Sequence, residues 1–201
     1  MYVGSIDVAA ATAAGNTVVP LRDGRVKLVD GRTGEVLATV PADNVFEDQA
    51  GERRAAVSGG LEDVVVDDGP DTRELELSGG EVLGVELAGR VSGRCGVSWY
   101  YMYNSVQSDR GYIRTGFDLY WNAYDFRWRT VATRETSGSE DVNYYGDDGP
   151  MWPDDVWQSG SQYFTALFNG TYYGRVYSGT AYLTDGRVCY TGYPTDSAYI
   201  S

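Results

Sequence analysis

The chain has no histidine and a single lysine, Lys27; every other basic residue is arginine. Without imidazole there is no Ser-His-Asp or Cys-His arrangement, no histidine-ligated metal, and no side chain that shuttles protons near neutral pH. Two cysteines are too few for a four-thiolate zinc site. Phosphate-binding fingerprints are missing as well. Glycine-rich pieces such as Gly31–Gly34 lie between strand-like runs, not at helix starts. No apolar run reaches the length of a membrane-spanning helix, which argues against membrane insertion. The first residues, MYVGSIDVAAATAAGNTVVP, lack the basic start and apolar centre of a signal peptide. The expectation is a protein soluble as made, without a secretion signal.

Basic charge is scarce. Against 16 Lys and Arg stand 29 Asp and Glu, a net charge of −13. Such a field repels phosphate backbones and anionic headgroups, so nucleic acid is not an expected ligand. Acidity combined with so little lysine suits a salt-rich environment. At molar salt the screening length falls to about 3 Å, and self-repulsion costs little. A genome that favours arginine codons, together with ordinary acidity, accounts for the same numbers.

What the chain does have is glycine and tyrosine, 26 and 17 residues in 201. Both favour strands and turns over helices. The densest stretch is Tyr112–Arg134. Ile113, Phe117, Leu119 and Trp121 alternate onto one side; Tyr124, Phe126 and Trp128 alternate onto one side after a break at Asn122–Ala123. This predicts a central hairpin. Gly96–Tyr103 reads as a preceding strand with Val97, Trp99 and Tyr101 on one side. Ser137–Pro153 reads as a polar loop, and Asn169-Gly170 as a two-residue turn pairing Leu167 with Tyr172. Asp185-Gly186 turns a last hairpin with Leu183 opposite Val188. Nearer the start, Arg25–Val29 and Glu35–Val40 flank a glycine-containing turn, and the hairpin they form ends in a short 3₁₀ segment over Val40–Val45. Val8–Ala14 fits a short helix or an edge strand, with extended the favoured reading, and Leu75–Leu77 pairs with Leu83–Val85 across Gly79-Gly80-Glu81.

Tyrosine and tryptophan are nearly absent before Gly89–Gly93 and abundant after it. The fold expectation is therefore all-β. A small aliphatic, acidic domain over residues 1–90 serves docking, and a larger antiparallel β-sandwich or jelly roll over 91–201 faces outward.

Cys95 and Cys189 bracket the second part and are a disulfide candidate if their strands are neighbours; in a reducing cytoplasm both would stay thiols. Asp147, Asp148, Asp154 and Asp155 flank one loop and form a weak calcium candidate, with solvated surface acid as the alternative. Tyr144, Tyr145, Met151, Trp152 and Trp157 are candidate contacts for a partner or a glycan; the two tryptophans either plug the core or bind. Asn169-Gly170-Thr171 fits a glycosylation sequon, which the turn also explains. The one catalytic route left open is a carboxylate pair such as Glu135 and Glu140.

These features favour a non-enzymatic structural component of a virus particle: a capsid decoration, turret or tail-associated protein of a tailed virus infecting a halophilic host. Its partners would be other virion proteins, copies of itself and host-surface glycans, with assembly in the host cytoplasm. The alternative is a carbohydrate-binding module acting through Tyr and Trp. It would need exposed coplanar rings on one sheet face or loop.

Overall fold

The computed structural model describes residues 1–48, 89–104, 109–136 and 138–201. The expected hairpin at Leu75–Val85 lies outside them. The described residues are mostly strand with little helix, in one eleven-stranded sheet and a separate three-stranded sheet.

The small sheet contains β2 (Thr17–Pro20), β3 (Arg25–Val29) and β4 (Val36–Pro41), followed by a 3₁₀ turn at Ala42–Asn44. The β3–β4 hairpin and the 3₁₀ segment form as the sequence predicts. Asp30 closes the turn by accepting from the backbone N–H groups of Arg32 at 2.8 Å and Thr33 at 2.7 Å. Those bonds hold its carboxyl below the usual range. Val26, Leu28, Ala38 and Val40 pack with Ile6 and Ala11 into a small core.

Ile6 lies on β1 (Tyr2–Asp7), which pairs antiparallel with β13 (Arg187–Tyr190) and parallel with β5 (Val45–Phe46). The first strand therefore belongs to the large sheet, while its side chain Ile6 fills the small core. Val8–Ala14 is not extended: Val8–Ala13 forms the helix α1. Alanine favours helix, and Asp7 caps it, accepting from Ala10 N at 2.9 Å. Asp7 also accepts from the Tyr124 hydroxyl at 3.0 Å, which ties this start to the large sheet.

The large sheet is built around β8 (Arg110–Thr136), a single strand of 27 residues and not a hairpin. The sequence breaks alternation near Asn122–Ala123, but the chain runs straight on. Tyr182 pairs with Asp125 and Leu183 with Ala123, so one extra residue of β8 is taken up as a bulge. A bulge reverses which side chains point inward without reversing the strand. Thus Ile113, Phe117 and Leu119 are buried before it, and Phe126 and Trp128 after it. Trp121 is left at the surface, under the Arg187 guanidinium 3.6 Å from its ring centre.

The first half of β8 pairs with β7 (Gly96–Asn104), β10 (Asp154–Gln158) and β11 (Gln162–Thr165). Its second half pairs with β9 (Ser139–Asp148) and β12 (Gly170–Leu183). The polar stretch after Ser137 is therefore an edge strand as far as Asp148. Its acids and tyrosines tolerate the edge because only alternate residues turn inward. Asn169-Gly170 does turn the chain, but β11 does not pair with β12. It joins the first half of β8, while β12 takes β14 (Thr195–Ile200) as neighbour. The last hairpin is one residue shorter on one side than predicted. Tyr182, not Leu183, stands opposite Val188, and Gly186 at φ +94° absorbs the extra turn residue.

Cys95, in the turn between β6 (Arg90–Gly93) and β7, is bonded to Cys189 on β13. The same turn receives the chain start: Cys95 N donates to Met1 O at 2.9 Å, and the Met1 amine donates to Gly96 O at 2.7 Å. Further contacts bring β7 against the chain's last segments. Thr191 Oγ1 and Ser98 Oγ are 3.1 Å apart, and Met102 N donates to Asp196 Oδ2 at 2.9 Å.

Candidate binding surface

Alternation along β8 and its neighbours sorts the aromatic rings into an inner and an outer set. Inside, Phe117, Phe126, Trp128 and Trp157 form one cluster, with Phe126 and Trp157 centroids 4.4 Å apart. Trp128 Nε1 donates to Thr115 Oγ1 at 2.8 Å, and that hydroxyl donates to Trp99 O at 2.8 Å, so the buried indole is satisfied. Trp157 stands opposite Phe117 in register, which turns its ring inward. Its ring is partly buried and packs against the core. Met151 packs on the same core. Tyr145 is half-buried opposite Thr130; burial, then Asp147, push its phenol up to about 12. Of the five contact candidates only Tyr144 and Trp152 are well exposed, Trp152 at 91%.

The two tryptophans can be separated by experiment. Trp157→Ala should cost about 2–3 kcal/mol of stability, less than the about 3–5 kcal/mol of a fully buried aromatic, because its ring is only partly buried. Trp152→Ala should change stability by less than about 0.5 kcal/mol, as exposed positions do. Thermal unfolding of both variants measures this, and equal losses would contradict the placement.

The acidic candidates do not converge. Asp148 is held by Arg129 at 2.6 Å, which keeps its carboxyl below the usual range. Asp147 Oδ1 accepts from Asp148 N, and Asp154 Oδ1 accepts from Asp155 N. Among the described residues no three carboxylates gather into a metal-binding group. Glu135 and Glu140 stand opposite each other near the exposed tip of the β8–β9 hairpin, and both are exposed. Their position offers no buried environment to separate an acid from a base.

Two outer sheet faces carry the exposed rings. On one, Tyr144 of β9 meets Tyr177 of β12 edge-on at 6.3 Å, with Tyr173 nearby in sequence on β12 and Tyr199 on β14. On the other, Tyr103, Tyr112 and Tyr163 stand abreast on β7, β8 and β11. Tyr103 and Tyr112 are 5.3 Å apart with planes 9° from parallel. Rings so close and so parallel lie over one another; they do not share a plane. Tyr163 is tilted 50° from Tyr112 at 6.3 Å. One row along β7, Trp99 and Tyr101 are stacked at 5.4 Å. Glycine at position 116 makes room for this arrangement: a Cβ there would come within 2.7 Å of the Trp99 ring and 2.2 Å of Trp157 O.

This second face also holds polar groups. The Arg110 guanidinium lies 4.9 Å from the Tyr163 ring centre. Arg114 Nη2 donates to Gln158 Oε1 at 3.2 Å, and the Tyr103 hydroxyl bonds Ser161 Oγ at 2.7 Å. Sequence reading missed this cluster. Its signal was the matched alternation of Trp99, Tyr101 and Tyr103 with Arg110, Tyr112 and Arg114, but only strand register sets them side by side.

No protein-family model matches the chain, and no curated protein is detectably similar to it.

Proposed function

We propose that the chain is a non-enzymatic structural component of a virus particle of a halophilic host, a capsid decoration, turret or tail-associated protein. The observation that carries this reading is aromatic surface held outward on a stiff sheet. Tyr144, Tyr163, Tyr173 and Tyr199 are 73%, 63%, 65% and 61% exposed. Proteins that act alone seldom leave so many large rings on two faces, and Tyr, Trp and Arg are the residues that anchor interfaces. The acid excess supports the salt-adapted part of the proposal. In this reading the two halves of the large sheet form a sandwich closed by the disulfide. Residues 1–90 dock on the particle, and 91–201 face outward.

Sedimentation in low and molar salt tests it. The expected result is a discrete oligomer in molar salt that Tyr173→Ser with Tyr199→Ser weakens at unchanged melting temperature. A monomer at every salt concentration, in the presence and absence of particles of the host's viruses, would remove the proposal. Stability indifferent to salt would remove its halophilic part.

A second reading, carbohydrate binding, is favoured by one specific arrangement. Tyr163 and the stacked Tyr103–Tyr112 pair lie beside hydrogen-bonding side chains on one sheet face. The rings do not form the flat platform that such a module was expected to need. A sugar would meet the Tyr163 face and the hydroxyl-bearing edges of the stacked pair.

A further inference from the structure

We infer that the outer face of β7, β8 and β11 is a site for an acidic saccharide chain, one bearing carboxylates or sulfate esters. This rests on the carbohydrate reading above and names its ligand class. The face is unusual in charge. In a chain of net charge −13, Arg110 and Arg114 both project from it, and among the described residues neither is paired with a carboxylate. Among the described residues Arg110 is engaged with the Tyr163 ring, and Arg114 with the neutral Gln158 amide. By contrast Arg25, Arg129 and Arg187 each hold an aspartate. An exposed arginine left to a ring and an amide keeps its planar fork available for an incoming anion.

Spacing then selects the shape of the anion. Arg110 and Arg114 are four residues apart on one strand, roughly 13 Å at the usual rise, with Tyr112 midway. A single small anion cannot bridge that span. A saccharide chain can, placing one acidic group at each arginine and an apolar C–H face against the ring edges between them. Tyr163, Ser161, Gln158 and the Tyr103 hydroxyl line the same strip and offer the donors and acceptors that sugar hydroxyls need. Asp118, on the same side of β8 beyond Gly116, carries the opposite charge and marks the end of the strip. A nucleic acid would meet only two cations here against the field of the whole molecule.

The test uses the full chain and defined oligosaccharides: an oligouronate, a sulfated oligosaccharide, and a neutral glucan of the same length. Titration calorimetry should show binding to at least one acidic probe and at least tenfold weaker binding to the neutral one. Arg110→Gln and Arg114→Gln should each weaken acidic binding by about tenfold, the scale of one charge-assisted hydrogen bond. Tyr163→Ala should weaken it too, and all three variants should melt with the wild type because the residues are exposed. If the neutral glucan binds as tightly, or both arginine variants bind normally, the acidic ligand is wrong and the carbohydrate reading survives. If no saccharide binds the wild-type chain, both fall.

Discussion

Replacing Cys95 and Cys189 with serine, or reducing their bond, should lower the stability of this protein by about 4–5 kcal/mol. The bond closes a loop whose ends are 94 residues apart. On the chain-entropy model a loop of that length restricts the unfolded ensemble by about this much. The native effect adds to it. The bond joins the β6–β7 turn to β13, and the same turn holds Met1 through two backbone hydrogen bonds. Since β1 pairs with β13, three segments distant in sequence meet at one point. Urea unfolding with and without reductant measures the loss. The first segment to exchange hydrogen after reduction should be β1, and an unchanged midpoint would show that the bond only decorates an already closed sheet.

The second large effect is expected at Asp141, a buried acid that no sequence motif marks. Its Oδ2 accepts from Leu167 N at 2.8 Å and from the Tyr172 hydroxyl in a short bond; its Oδ1 accepts from Asn143 Nδ2 at 3.0 Å. Leu167 and Tyr172 lie on either side of Asn169-Gly170, so Asp141 clamps that turn onto β9. Arg134 stands opposite Asp141 in register, and its guanidinium occupies the space a Cβ at Gly170 would need. Asp141→Ala removes the acceptor for all three donors. The expected cost is about 3–5 kcal/mol, since each buried donor left unsatisfied costs about 1–3 kcal/mol. Tyr172→Phe removes one donor and should cost about 1–2 kcal/mol. Burial, and then the bond to Asp141, raise the Tyr172 phenol above its usual range. In Asp141→Ala the hydrogen-bond part of that shift should vanish, so ultraviolet titration gives a readout independent of stability. A loss below about 1 kcal/mol for Asp141→Ala would mean the turn holds without its clamp.

Alternation made the strands legible. The β3–β4 hairpin, the strand β7, and both runs of β8 follow from period-two patterning, which reports on one face at a time. The same signal misled at residues 122–123. A hairpin and a bulge both reverse the inward parity, and only the partner strands show that β8 continues. The edge strand β9 was hidden for a related reason. Pattern reading expects apolar residues inward, whereas β9 turns Asp141, Asn143, Tyr145 and Asp147 toward its inner side and satisfies them with hydrogen bonds. Helix α1 was the less favoured of two readings because six residues give no periodicity; a capping aspartate followed by alanines was the available clue.

Composition and local pattern by themselves determined the chemistry this chain can bring: an acidic, histidine-free, strand-forming polymer rich in aromatic rings. Those properties belong to residues one at a time, or to neighbours along one strand. Tertiary structure alone decided which rings packed against the core and which stayed at the surface: Trp157 lies on β10, opposite Phe117 of β8, whereas Trp152 lies just before that strand and is exposed. It also brought Cys95 to Cys189, and Arg110 and Arg114 beside three tyrosines from three strands. Register between distant segments is set by the sum of many contacts, and no short stretch of sequence contains that sum.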